Sequence, residues 1–204
     1  MIVLTVAAFI LGTCAVSVSG RGDAATSCST PPNGWEFLQC GNQYDMRRRN
    51  FNVRGVENGT RCLSSTTDTK DEEHHRVTQK ITYQSMSGES RMLFQQYQFS
   101  KREGENYNFM VTTFDTASPQ ASHQFVYTGN ACAVIVVRSL DTVGEHRNQA
   151  EKETELSTEA KQKKCVLWVT HGHTDTEDPC CEQVLHSMCG SSGFHTVYDP
   201  ATCK

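Results

Sequence analysis

After its first twenty residues this sequence has no hydrophobic run of membrane-spanning length and no block of a single charge sign. The first absence excludes a downstream helical span, which needs about 20 apolar residues. The second leaves 19 basic against 23 acidic residues, a net charge of −4. That balance excludes a nucleic-acid binder working through a broad basic surface, and it excludes an acidic or basic tail. Missing too are GxSxG, P-loop, GxGxxG and HExxH patterns and any CxxC pair. Without a nucleophile elbow, a phosphate cradle or a zinc frame, neither an enzyme nor a cofactor or metal is expected. Apolar residues make up only 37% of the 204, and the N-terminus inflates that share. A core that lean needs cross-links, and ten cysteines are present to form them. An ordinary cytosolic enzyme does not fit; one domain, or two small ones, does.

Residues 1–20 run apolar from Ile2 to Leu11 and then turn small at Ser17, Ser19 and Gly20. This is the layout of a secretory signal, so a secreted, extracellular chain starting near Arg21 is expected. Leu11-Gly12-Thr13-Cys14 faintly suggests a lipoprotein cleavage site, but no Lys or Arg precedes it. Asn58-Gly59-Thr60 is the sole N-x-[ST] sequon and marks Asn58 as a glycosylation site on a surface turn. Arg21-Gly22-Asp23 spells an integrin-binding tripeptide, but it lies at the expected cleavage point, outside any hairpin, and reads as chance.

Residues 21–43 form an N-terminal arm, polar and small in its first third. From 44 onward, short strand-like runs recur between turn signals: Tyr44–Val53, Cys62–Thr67, Val77–Gln84, Met92–Phe99, Tyr107–Thr113, His123–Thr128, Cys132–Val137 and Cys165–Thr170. Tight turns such as Ser87-Gly88-Glu89 join neighbours as antiparallel hairpins. Eight such strands suit a closed up-and-down barrel or a sandwich. Residues 141–164 are charged and almost free of large apolar side chains, which predicts a long solvated loop. One helix is well marked over 179–189: Asp178 caps it, Pro179 suits its first turn and Gly190 its stop. Cys181, Val184, Leu185, Met188 and Cys189 give it one apolar stripe.

Nine cysteines remain once Cys14 leaves with the signal. Cys180 and Cys181 are adjacent and must reach different partners, because a ring between neighbours strains the peptide. A disulfide framework is expected, with one thiol left over.

At this point a resemblance becomes specific. Phe125-Val126-Tyr127-Thr128, Cys132-Ala133-Val134, Cys165-Val166-Leu167-Trp168, Pro179-Cys180-Cys181 and Cys189 resemble the tick salivary lipocalins, which include the histamine-binding proteins. The likeness implies an eight-stranded antiparallel barrel with an external C-terminal helix. It implies a secreted, non-enzymatic protein that sequesters a small host mediator: a lipid such as a leukotriene, or an amine such as histamine or serotonin. The alternative it implies is a loop-borne inhibitor of a host plasma protein, such as a complement component or a protease. It also implies the pairs Cys62–Cys203, Cys132–Cys181, Cys28–Cys180 and Cys165–Cys189, with Cys28 and Cys40 able to exchange roles. A monomer is expected, with an unpaired Cys40 open to dimerisation.

Phe99, Tyr107, Phe109, Tyr127 and Trp168 are the aromatic candidates for a ligand pocket. If Cys132 and Cys165 both bridge to the external helix they point outward, and alternation turns Ala133, Ile135, Val137, Val166 and Trp168 inward. The resemblance implies an acid directly after each of these cysteines in amine-binding members, where this sequence has Ala133 and Val166. A buried ammonium needs a carboxylate partner, so an apolar or amphipathic ligand is expected. Asp45 and Asp115 are the acids that could still serve an amine. His171, His173, His74 and His75 read as solvated loop histidines.

Overall fold

A computed structural model gives the structure for residues 28–52, 59–85, 87–102, 104–113, 120–141, 163–173 and 178–203. The N-terminal apolar segment, Arg21-Gly22-Asp23, Asn58, Asp115 and residues 142–162 lie outside the described residues. Eight strands follow a short helix α1 (Gly34–Phe37): β1 (Gln43–Arg49), β2 (Thr60–Asp71), β3 (Arg76–Ser85), β4 (Ser90–Lys101), β5 (Tyr107–Thr112), β6 (Gln120–Thr128), β7 (Cys132–Asp141) and β8 (Lys164–Thr170). Helix α2 (Pro179–Cys189) and a two-residue strand β9 (His195–Thr196) complete the chain. Neighbouring strands pair antiparallel in chain order, β8 returns to β1, and β1 pairs with β2, so the sheet closes on itself. It is an eight-stranded antiparallel barrel with one C-terminal helix, the lipocalin fold.

Alternation along β7 and β8 divides two cores. Ala133, Ile135, Val137 and Val166 join the interior cluster with Tyr44, Val77, Tyr97, Phe99, Met110 and Phe125. Cys132, Val134, Val136, Cys165, Leu167 and Val169 face outward and pack under α2. The helix starts where Asp178 accepts a hydrogen bond from the Cys180 N–H, and Gly190 stops it at φ 84°. It buries Cys180, Cys181, Leu185 and Cys189. Of the apolar stripe read from the sequence, Met188 is left 36% exposed and Cys180 is the residue that packs. Complete burial of Leu185 contributes about 1.5–3 kcal/mol.

Disulfides join Cys28–Cys180, Cys62–Cys203, Cys132–Cys181 and Cys165–Cys189, and Cys40 is an exposed free thiol. Two of them fix α2 to β7 and β8, one fixes the arm to α2, and one fixes the C-terminal segment to β2.

Helix α1 closes one end of the barrel. Asn33 caps it by accepting from the Glu36 N–H. Gly34 sits so near Phe125 that a Cβ there would lie 2.3 Å from the ring. Trp35 plugs the opening: its indole donates to Glu72, Lys70 lies over its ring at 4.1 Å, and Phe99 meets it edge-on. The β2–β3, β4–β5 and β6–β7 connections belong to this closed end. Strands β1, β3, β5 and β7 end at the opposite, open end.

Candidate functional site

Between plug and open end lies a cavity lined by Phe37, Tyr44, Met46, Leu63, Ile81, Tyr97, Met110, Phe125, Ile135, Val137, Leu140, Val166 and Trp168, with Arg49, Ser65, Gln79 and His123 among the polar groups. Its enclosed volume is about 150 Å³. That holds a small ring or a stretch of chain, so a longer ligand extends toward the open end. The wall is mostly apolar, the usual character of a lipophilic pocket.

Of the residues singled out from the sequence, Trp168, Val166, Ile135 and Val137 line this cavity. Ala133 is buried in the interior cluster but is not part of the lining. The aromatic candidates need correction. Phe99 lies at the floor, between Trp35 and Phe125. Tyr107 stacks on His75 at 3.9 Å at the closed end. Phe109 is on the outer face under the Arg102 guanidinium, because Met110 takes the inner side of β5. Tyr127 also faces out, where its hydroxyl donates to Asp178. A β-bulge between Phe125 and Tyr127 resets the alternation, so two residues that should share a face do not.

Asp45 does not reach the cavity. It is 1% exposed and sits on the opposite side of β1 from Tyr44 and Met46, accepting from Gln43 and contacting the His171 ring at 2.9 Å. His171 is thereby occupied, the His173 carbonyl accepts from Arg47, and His74 pairs with Asp71. Cys132, Asp178 and Cys181 have metal-ligand proximity, but both sulfurs are spent in a disulfide.

Arg49 is the charged cavity-lining residue that sequence reasoning missed. It belongs to the run Arg47-Arg48-Arg49, which looks like a solvated face. A bulge between Met46 and Arg48 sends the three apart. Arg47 packs by Tyr198, Arg48 pairs with Glu182 on α2, and Arg49 turns into the barrel opposite Val166. There it is 2% exposed, donating Nε–H to His195 Nε2 at 3.0 Å and Nη1–H to Thr60 Oγ1 at 3.2 Å. Burial pulls its pKa below the ordinary guanidinium value. Among the described residues no carboxylate pairs with it, and the cavity lining holds none.

His123 is the second polar feature. Its ring meets Tyr97 edge-on at 5.7 Å, and its shielded Nδ1 has no hydrogen-bond partner. Burial pushes its pKa down to about 4, so it is neutral at pH 7.

Comparison with proteins of curated function returns no significant match. Among solved structures, apocrustacyanin C2 is similar at 10% identity over 82% of this chain and 81% of that one, with a TM-score of 0.51. Japanin from Rhipicephalus appendiculatus, bound to cholesterol, gives 10% over 81% and 97% with 0.48. The serotonin complex of AM182 gives 12% over 81% and 87% with 0.47. At such identities the likeness speaks to fold alone. The family model described as tick histamine binding protein matches residues 28–147, more than half of the sequence, and the chain belongs to that family.

Proposed function

We propose that this protein is secreted and sequesters a small apolar or amphipathic host mediator, its acidic end held by Arg49 and its hydrocarbon body lying against Trp168 and Val166. It acts as a carrier, not a catalyst. The carrying observation is the charge pattern of the cavity: Arg49 is the one charged side chain among the described lining residues. A carboxylate entering this site gains a charge-assisted partner that is already desolvated. A protonated amine meets a like charge and no acid, which costs several kcal/mol in a poorly hydrated cavity. His123 adds an unfilled hydrogen-bonding position, which favours a ligand with a polar group along its body.

Calorimetric titration at neutral pH with leukotriene B4, arachidonic acid, histamine and serotonin tests the reading. The acids should bind and the amines should bind at least about tenfold more weakly, with Arg49→Gln costing the acids about tenfold or more. Submicromolar histamine binding without detectable lipid binding overturns it.

A further inference from the structure

β1 and β2 do not close the barrel along their whole length. They pair only where Gln43–Asp45 face Thr66–Ser64. Beyond that point both depart from regular register, β1 at its bulge and β2 between Arg61 and Ser64, and Cys62 takes a positive φ of 52°. A left-handed conformation at a residue other than glycine is uncommon, and here it turns β2 away from β1. The gap at the open end is filled by the C-terminal segment. β9 pairs with Arg48 and Arg49 of β1. Val197 donates its N–H to the Arg47 carbonyl at 3.0 Å, and its own carbonyl accepts from the Cys62 N–H at 2.7 Å. Val197 and Tyr198 are buried, and Cys203 ties the segment to Cys62. This segment is a stave of the barrel wall.

It also reaches the ligand-binding cation. His195, on the stave, accepts from Arg49 Nε, while Thr60, across the gap, accepts from Nη1. We infer that His195 is a positioning residue of the binding site: the C-terminal stave, through this hydrogen bond, aims the Arg49 guanidinium at the acidic end of the ligand. The inference rests on the reading of Arg49 as the anion-holding group. The geometry needs a neutral imidazole with its proton on Nδ1. Burial, and then the charge of Arg49, lower the His195 pKa, with only a Gly193 backbone hydrogen bond opposing. An arginine held at Nε by one neighbour and at Nη1 by another loses little freedom on meeting a carboxylate, which favours binding by preorganisation.

The test compares lauric acid with 1-dodecanol, two ligands of equal chain length that differ in head-group charge. For the wild type, lauric acid should bind more tightly. His195→Ala should weaken lauric acid about tenfold and dodecanol less than about twofold, since one hydrogen bond to a charged group is at stake. His195→Gln, whose amide oxygen can accept from Arg49, should recover most of the loss. Equal losses for both ligands, or no loss for either, overturns the inference. An independent readout needs no lipid: the Arg49 Nε–H resonance in a 15N correlation spectrum, assigned with Arg49→Lys, should shift or broaden in His195→Ala. An unchanged resonance overturns the positioning role whatever binds. If the wild type does not distinguish acid from alcohol, the head-group reading fails, and the resonance alone then decides the role of His195.

Discussion

Three consecutive arginines end in three environments, and the division of labour depends on one bulge. Without it, Arg48 would share its face with Met46 and enter the cavity, and Arg49 would face α2. Chemistry at the residue scale is thus set by a single extra residue in a strand, which no composition reveals. His123 shows the same dependence on burial. Its pKa falls from 6.5 to about 4 in the folded protein, so the folded state holds it neutral. Below pH 6.5 the unfolded chain takes up a proton that the folded one refuses. Its stabilising contribution is complete above that pH and is lost as pH falls toward 4, by about 3 kcal/mol in all. Urea denaturation at pH 7, 5 and 4 should show this loss, and His123→Phe should flatten it. A wild-type midpoint independent of pH over that range would contradict the buried neutral imidazole. The lowered pKa of His195 acts with the same sign.

Among the elements, the long ones were legible in the sequence and the short ones were not. Eight strand-like runs between turn signals, several of them alternating, and a capped, striped helix are long enough to be read. Helix α1 has four residues and β9 two, too few for any period, and both exist because tertiary contacts select them. The cavity lining followed the same rule. Ile135, Val137, Val166 and Trp168 were legible because outward disulfides fix the parity of β7 and β8. Tyr127 and Arg49 were not, because each follows a bulge. The disulfide pairing was carried by the family resemblance, since spacing alone leaves many connectivities open. The fit of α1 has its own test. In Gly34→Ala the new methyl would overlap the Phe125 ring, which is fully buried and cannot swing aside. A loss of about 1–3 kcal/mol is expected, read by thermal melting, with an altered near-ultraviolet aromatic signal as the plug shifts. Unchanged melting would mean that the plug is not tightly seated.

At the scale of the whole molecule, a small apolar fraction is offset by four covalent links. The Cys28–Cys180 bridge spans 152 residues and ties the arm ahead of α1 to the external helix. Replacing both cysteines with serine should lower stability by about 2–5 kcal/mol in chemical denaturation while leaving the β-rich circular dichroism intact. A change well below that range would show that this bridge adds little to what packing and the other three links supply.

The stave that fills the gap beside Arg49 has a kinetic meaning as well. Arg49 and His195 are 146 positions apart, so the wall becomes continuous only when distant parts of the polypeptide meet. Contacts of such high order form slowly, because a long loop must close before any of them stabilises the chain. The seam between β1 and β2 that β9 completes is, on these grounds, the last expected to close. Cys62 and Cys203, 141 positions apart, sit across the same seam, so their bridge locks the wall only once that loop has closed.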